Sequence, residues 1–410
     1  MSLSEELVWR GFVQQSTFTD IKLVDSLENK VFYHGFDASA DSQTIGNLAS
    51  MMMDRLLIRH GFKAVLLAGG ATSLIGDPGG KDKERLLQDV STVAHNVEST
   101  KKQLKQIFEG CDFTLVNNLD WYQDMRVLDF LRDVGKHFSM TPLVQRDYIA
   151  KRIGKDGSGI SFTEFSYTLL QGYDFLQLYR NYGVVLQLSG SDQWGNIISG
   201  VDLIRRVEGV DVHGITMPLV INKSTGRKFG KSEEGAIWLD SKKTSVFKFY
   251  QFWLNLDDEG VEGYLKVYTD LTKQEIEDVM AEFNEDRSSR VAQKTLAKEV
   301  TRIVHGIDKS KAVVRATEVL FGNRSAAILS DEEVEILSQE ITTLEFSTGL
   351  VDSIKEAGFA STNSEVMRLM TSGGLQINGK RITTTDETQL HKGYNLFKKG
   401  KNTFAIVIVK

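Results

Sequence analysis

The chain has 410 residues, 41% of them hydrophobic and 25% charged, with a formal net charge of −6. That length exceeds what one hydrophobic core organises, so two or three domains of an ordinary globular protein are expected, and the acidic balance excludes a uniformly basic nucleic-acid coat. A single cysteine (Cys111) and three prolines exclude a disulfide framework and fit a reducing, cytoplasmic setting. No run approaches the roughly 20 apolar residues of a membrane span, and the start carries no basic-then-apolar export pattern.

In chain order, short apolar runs alternate with helical patterns from about residue 31 to 219. A first strand ends in Phe32-Tyr33-His34-Gly35-Phe36-Asp37 and is followed by Thr44-Ile45-Gly46-Asn47 at the start of a helix. There Gly46 lets a nucleotide approach the backbone, and Thr44 and Asn47 present polar side chains beside the free amides of a helix N-terminus. On its own this pattern reads equally as a capped helix without a ligand. Ala64-Val65-Leu66-Leu67-Ala68 and Val184-Val185-Leu186-Gln187-Leu188 read as buried parallel strands, each closing on a glycine-bearing turn. Such turns mark the ligand-binding edge of an open α/β sheet. A stretch from about Trp121, rich in Phe, Leu and Lys, reads as a helical insertion whose apolar face is either a subunit contact or core packing.

Further on, Gly190-Ser191-Asp192-Gln193-Trp194-Gly195-Asn196 precedes Gly226-Arg227-Lys228-Phe229-Gly230-Lys231-Ser232. Two lysines three apart on a glycine-flanked loop form a steerable cationic clamp, suited to a reaction in which charge grows on departing pyrophosphate oxygens. Taken alone, such a turn reads first as a solvated loop. From about Thr244 to Leu320 the apolar period becomes helical. The polar stretch after Ser330 suggests a linker, and the last ~65 residues read as a small α+β unit in which cations outnumber anions, which suggests a polyanion partner.

Several blocks together resemble bacterial tyrosyl-tRNA synthetases, class I aminoacyl-tRNA synthetases, over nearly the whole chain. They are residues 33–37, Gly69-Gly70-Ala71-Thr72 with Ile75-Gly76-Asp77-Pro78, 130–138, 159–167, Gln171-Gly172-Tyr173-Asp174-Phe175, 190–196 and 228–232. The resemblance implies an α/β protein with a Rossmann-like parallel-sheet catalytic domain over 1–225, carrying a helical insertion at about 121–160 that makes a homodimer contact. It further implies a lysine loop and all-helical anticodon-binding domain over 226–325, a linker over 326–347 and a small α+β RNA-binding domain over 348–410.

Roles carry over only onto matching positions. Tyr33 and Asp174 match the residues that read the phenolic oxygen, and Asp77, Tyr167 and Gln171 match the holders of the substrate ammonium. Gln193 matches the residue near the substrate carboxyl. Gly35, Asp37, Ser39, Gly46, Gly190 and Asp192 fall in the ATP site, and Asp192 is the match for the ribose ligand. Lys228, Lys231 and Ser232, with Thr44 and Asn47, are the expected catalytic groups, Lys231 also contacting ATP. The implied partners are L-tyrosine, ATP with its Mg²⁺, and tRNA(Tyr), with no resident metal or tightly bound cofactor and no membrane. Threonine and asparagine stand at 44 and 47 where the family has histidines, and the tail helix begins Asn363-Ser364-Glu365 where the family is basic. Lys380, Arg381, Lys398 and Lys399 are left to meet phosphates. A tryptophan enzyme, a non-catalytic RNA-binding paralogue and a nucleotidylyltransferase are the rival readings. Tyr33 with Asp174, the retained lysines, and the helical and tail regions argue against them in turn.

Overall fold

The computed structural model describes residues 1–79, 86–226, 229–232, 235–322, 329–346 and 349–410. They fall into two compact units, Met1–Asp240 with Asp257–Ala292, and Ser241–Leu256 with Gln293–Lys410.

The first unit begins with α1 (Leu3–Arg10) and is built on a six-stranded sheet in the order β1-β6-β5-β2-β3-β4. Its strands are β1 (Gln15–Ser16), β2 (Val31–Asp37), β3 (Lys63–Gly69), β4 (Phe113–Asn117), β5 (Leu186–Gly190) and β6 (His213–Met217). All pairings are parallel except that of β1 with β6. The apolar runs foreseen as strands lie in β3 and β5, beside the central β2. Because side chains alternate across a strand, Tyr33, Val65 and Leu67 enter one core, while Ala68 enters another with Ala38, Val93 and Val97.

Helix α2 (Ile45–Arg59) follows β2, α3 (Gly70–Ile75) follows β3, and α4 (Val90–Ile107) leads to β4. The insertion is a chain of short helices: α5 (Leu119–Tyr122), α6 (Val127–Asp133), α7 (Met140–Val144) and α8 (Asp147–Ile153). Two long helices, α9 (Phe162–Tyr182) and α10 (Trp194–Glu208), complete the core that contains Tyr33. Their close approach depends on Gly200, where an added Cβ would come within 2.9 Å of the Phe175 ring.

The remaining elements of this unit are a hairpin of β7 (Lys231–Ser232) and β8 (Gly235–Ala236) and, after α11 (Val246–Leu254) of the other unit, helices α12 (Val261–Tyr268) and α13 (Lys273–Glu285). The helical region expected as one domain over 226–325 is therefore divided. The physical reason is a set of ties: buried Arg10 donates to the carbonyl oxygens of Lys266, Thr269 and Leu271, and Arg55 pairs with Asp270.

The second unit holds α11, α14 (Val291–His305), α15 (Ile307–Phe321), α16 (Asp331–Ser338), α17 (Leu350–Glu356) and α18 (Asn363–Thr371). It also holds a five-stranded sheet in the order β11-β10-β12-β13-β9, formed by β9 (Thr342–Glu345), β10 (Leu375–Ile377), β11 (Lys380–Arg381), β12 (Gly393–Lys399) and β13 (Thr403–Val409). The stretch expected as a linker over 326–347 is not one among its described residues. It carries α16 and the edge strand β9, which pairs in parallel with β13 from Thr342↔Ala405 to Ile408↔Glu345. The period-2 pattern of β13 explains why: Phe404 and Ile406 pack with Val319, Leu320 and Leu337, while Ala405 and Val407 pack with Ile354, Val366 and Met370. Of the tail cations, Lys380 and Arg381 are exposed, whereas the Lys399 ammonium donates to the Phe359 carbonyl oxygen. Among the described residues no helix is long and apolar enough to cross a membrane.

Candidate active site

A cavity of about 550 Å³ opens along the carboxyl edge of β2 and β5, wholly within the first unit. Helix periodicity explains one wall, since Tyr167, Gln171 and Asp174 lie four and three residues apart on α9 and share a face. Strand alternation explains the floor, where Tyr33 of β2 stands beside Gln187 of β5.

At the closed end, Tyr33 is 1% and Asp174 2% exposed. The carboxylate of Asp174 accepts from Asn118 Nδ2 at 3.1 Å and from Trp121 Nε1 at 2.9 Å. Burial pushes its carboxyl up to about 7 against these hydrogen bonds, and raises the Tyr33 phenol well above its ordinary range. The Tyr33 hydroxyl, Gln171 Oε1 and Gln187 Oε1 are buried without a hydrogen-bond partner. Such orphans cost about 1–3 kcal/mol each, so three of them around one cavity point to a polar ligand that satisfies them.

A hydrogen-bond network runs from there to the middle of the site. Asn118 Nδ2 also donates to Thr72 Oγ1, Thr72 donates to Asp37 Oδ1 at 2.8 Å, and the Tyr167 hydroxyl donates to Asp37 Oδ2 at 2.8 Å. Asp77 accepts from Gln193 Nε2 at 2.5 Å and from the Gly79 amide. Burial first, then the charges of Asp37 and Asp192, push its carboxyl up to about 6. A cavity lined by Asp37, Asp77, Asp174 and Asp192 favours a bound cation, because an ammonium between the carboxylates relieves their mutual repulsion.

The open end is built differently. Gly35, Ser39, Gly46, Asn47 and Asp192 line it and are exposed, and Gly190 lies beside them. Thr44 and Asn47 are here but turned to each other: Asn47 Oδ1 accepts from the Thr44 amide at 3.1 Å and from the Thr44 hydroxyl at 2.8 Å. In this structure they cap α2, a role the sequence allowed beside the nucleotide one.

The lysine loop is rooted on the same helix start. The Ile45 amide donates to the Ile237 carbonyl, Leu239 to Gln43, and Ile237 to Gly230. Gly230 has φ +93°, and a Cβ there would lie 2.8 Å from Ile45. Phe229 stacks on Tyr264 with ring centroids 4.6 Å apart. Lys231 and Ser232 form the backbone of β7, whereas Lys228 lies outside the described residues. The structure thus gathers the foreseen tyrosine- and ATP-site residues around one cavity, the Lys231 side chain lying outside the described ones. It adds Thr72, Gln187 and Trp238 to the lining, and Asn118 and Trp121 as the partners of Asp174. The Asn117-Asn118 pair at the end of β4 was the available signal, because it marks the same sheet edge.

The fold is that of the class I aminoacyl-tRNA synthetases, as the comparisons with known proteins show. Residues 27–322 match the family of "tRNA synthetases class I (W and Y)". The chain is 40% identical to a tyrosine–tRNA ligase of Neisseria meningitidis and 41% identical to one of Bacteroides fragilis, in both cases over 100% of both chains. It is 42% identical to one of Corynebacterium diphtheriae over 99% of each. A solved C-terminally truncated mitochondrial tyrosyl-tRNA synthetase of Aspergillus nidulans superimposes with a TM-score of 0.71 at 32% identity, covering 78% of this chain and 94% of that one. The chain belongs to the bacterial tyrosyl-tRNA synthetases.

Proposed function

We infer that the cavity activates L-tyrosine with ATP and that the chain then transfers the tyrosyl group to the 3′ end of tRNA(Tyr). The observation that carries this reading is the buried pair of Tyr33 and Asp174 at the closed end, one hydroxyl unpartnered and one carboxylate already aimed by Asn118 and Trp121. Such an end rewards a substrate hydroxyl and penalises its absence by roughly 10⁴ to 10⁵, because the site's own polar groups would stay unpaired.

Asp77, Tyr167 and Gln171 hold the substrate ammonium, and Gln193 faces the carboxyl. The carboxylate oxygen attacks the α-phosphorus in line, so an O–P bond forms as the bond to the bridging oxygen breaks and pyrophosphate leaves with the electron pair. Catalysis comes from position and charge: Gly46 and Gly190 admit the nucleoside, Asp192 takes the ribose, and Lys228, Lys231 and Ser232 neutralise the departing phosphates. Gly35, Asp37, Ser39, Thr44 and Asn47 complete the nucleotide end. Mg²⁺ arrives with ATP as part of the substrate. The tRNA ribose hydroxyl then attacks the carbonyl of the mixed anhydride and AMP departs.

We further propose that the enzyme is a cytoplasmic homodimer. The support is that Val127, Leu128 and Met140 of the insertion, and Phe162 just after it, are large apolar side chains left exposed, as at an interface. The anticodon-binding role of the helical region and the RNA-binding role of the basic tail belong to the same reading, with exposed Lys380 and Arg381 as tail contacts. Tyrosine-dependent ATP–pyrophosphate exchange, with tryptophan and phenylalanine as controls, tests the first half-reaction. Exchange with tyrosine alone supports it, and silence with all three in folded protein would make the chain a binding-only paralogue.

A further inference from the structure

A chain of side-chain hydrogen bonds leads from the insertion into the substrate cavity. Arg146, which caps the start of α8, donates through Nη1 to Thr168 Oγ1 at 3.2 Å. Thr168 donates to Asn196 Oδ1 at 2.7 Å, Asn196 Nδ2 donates to Gln193 Oε1 at 3.0 Å, and Gln193 Nε2 donates to Asp77 Oδ2 at 2.5 Å. The second arm of the guanidinium donates to Ser199 Oγ. Thr168 and Asn196 are 2% and 5% exposed, so water does not substitute freely for either link.

The direction of this chain is not arbitrary. A guanidinium can only donate, whereas a hydroxyl or a carboxamide can face either way. With Arg146 donating to it, the Thr168 hydroxyl turns its own proton to Asn196. That makes the Asn196 oxygen the acceptor and its amino group the donor to Gln193. Gln193 is thereby left with its amino group facing the cavity and its oxygen facing inward. The opposite orientation would set the Gln193 oxygen against Asp77 and Asp192, both of which its amino group now meets. The geometry is also permitted by Gly195, where an added Cβ would come within 3.3 Å of the Arg146 guanidinium.

We propose that Arg146 is a positioning residue for tyrosine activation, which acts through Thr168 and Asn196 to hold the Gln193 amide with its N–H groups toward the substrate carboxyl. This rests on the reading of Gln193 given above. Gln193 is the group that touches substrate, and the other three fix its orientation.

The test uses the full-length protein and compares binding of L-tyrosine with that of tyrosinol, which keeps the ring, hydroxyl and ammonium but lacks the carboxylate. Arg146→Met and Thr168→Val should each weaken tyrosine binding about three- to tenfold, the scale of one hydrogen bond between polar groups. Both should leave tyrosinol binding and the KM for ATP within twofold, and Thr168→Ser should restore tyrosine binding. Gln193→Ala separates the two ideas. If it does not weaken tyrosine relative to tyrosinol, the reading of Gln193 fails; if it does and Arg146→Met and Thr168→Val do not, the relay fails. Equal losses for both ligands in the Arg146 and Thr168 variants would reduce these residues to holding α8 and α9 in place. Should Arg146→Met not fold, Arg146→Lys, which keeps a donor and the charge, must lose less than Thr168→Val for the proposal to stand.

Discussion

The two ends of the cavity are made from different materials. The closed end, proposed for tyrosine, is walled by a strand and a long helix, its side chains are buried, and its carboxylates are held by neighbours before any ligand arrives. The nucleotide end is lined by glycines, short polar side chains and the root of the lysine loop, most of it exposed. The first arrangement fixes what is bound, since buried polar groups discriminate by the cost of leaving them unpaired. The second leaves room for groups whose value lies in the transition state.

Substitutions at the two ends should therefore fail in different ways. The largest effect is expected for Asp174→Ala, which removes the acceptor of Asn118 and Trp121 and should abolish both activity and discrimination against phenylalanine. Exchange assays with both amino acids would show this, and retained discrimination would remove Asp174 from the hydroxyl pocket. Next, Lys231→Ala should slow adenylate formation by roughly 10²–10³ with tyrosine affinity nearly unchanged, the signature of a group acting on developing charge. Single-turnover measurements beside equilibrium binding separate the two, and a large loss of tyrosine affinity would contradict the division.

A smaller, graded effect concerns pH. Asp174 and Asp77 titrate near 7 and near 6, both raised mainly by burial. Their charged forms, which on the proposed reading receive the phenol and the ammonium, are present above those values and lost below them. Tyrosine affinity should thus decline as pH falls from 8 to 5, most steeply below about 6, and equilibrium dialysis that found it constant would exclude Asp77 from ammonium contact. The smallest change is expected for Thr44→His, which exchanges one half of the α2 cap for an imidazole. Exchange activity should be equal or higher, and a sharp fall would mean that the nucleotide end is built around the Thr44–Asn47 bond.

The sequence carried the parts that depend on local pattern. The apolar runs of β3 and β5, the glycine turns after them and the spacing of Tyr167, Gln171 and Asp174 along one helix were all legible. Asn118 and Trp121 were not. They lie more than fifty positions from Asp174 and meet it only once β4 is laid beside β3. The mutual capping of Thr44 and Asn47 was legible only as one of two readings, because the same two side chains suit either a ligand or each other. Polarity likewise disguised α16 and β9, whose acidic first turn and adjacent threonines resemble a linker until β13 supplies a partner.

That edge strand bears on how the tail can be studied. Removing everything after residue 347 would leave β9 without the strand it pairs with and would strip Val319, Leu320 and Leu337 of the cover given by Phe404 and Ile406. A shortened protein would expose both an open backbone edge and a greasy surface, the usual start of aggregation. Any loss of tRNA charging in such a fragment would report on solubility as much as on RNA contact. Reversing charge at Lys380 and Arg381 leaves that sheet closed, and is the cleaner way to ask what the tail does.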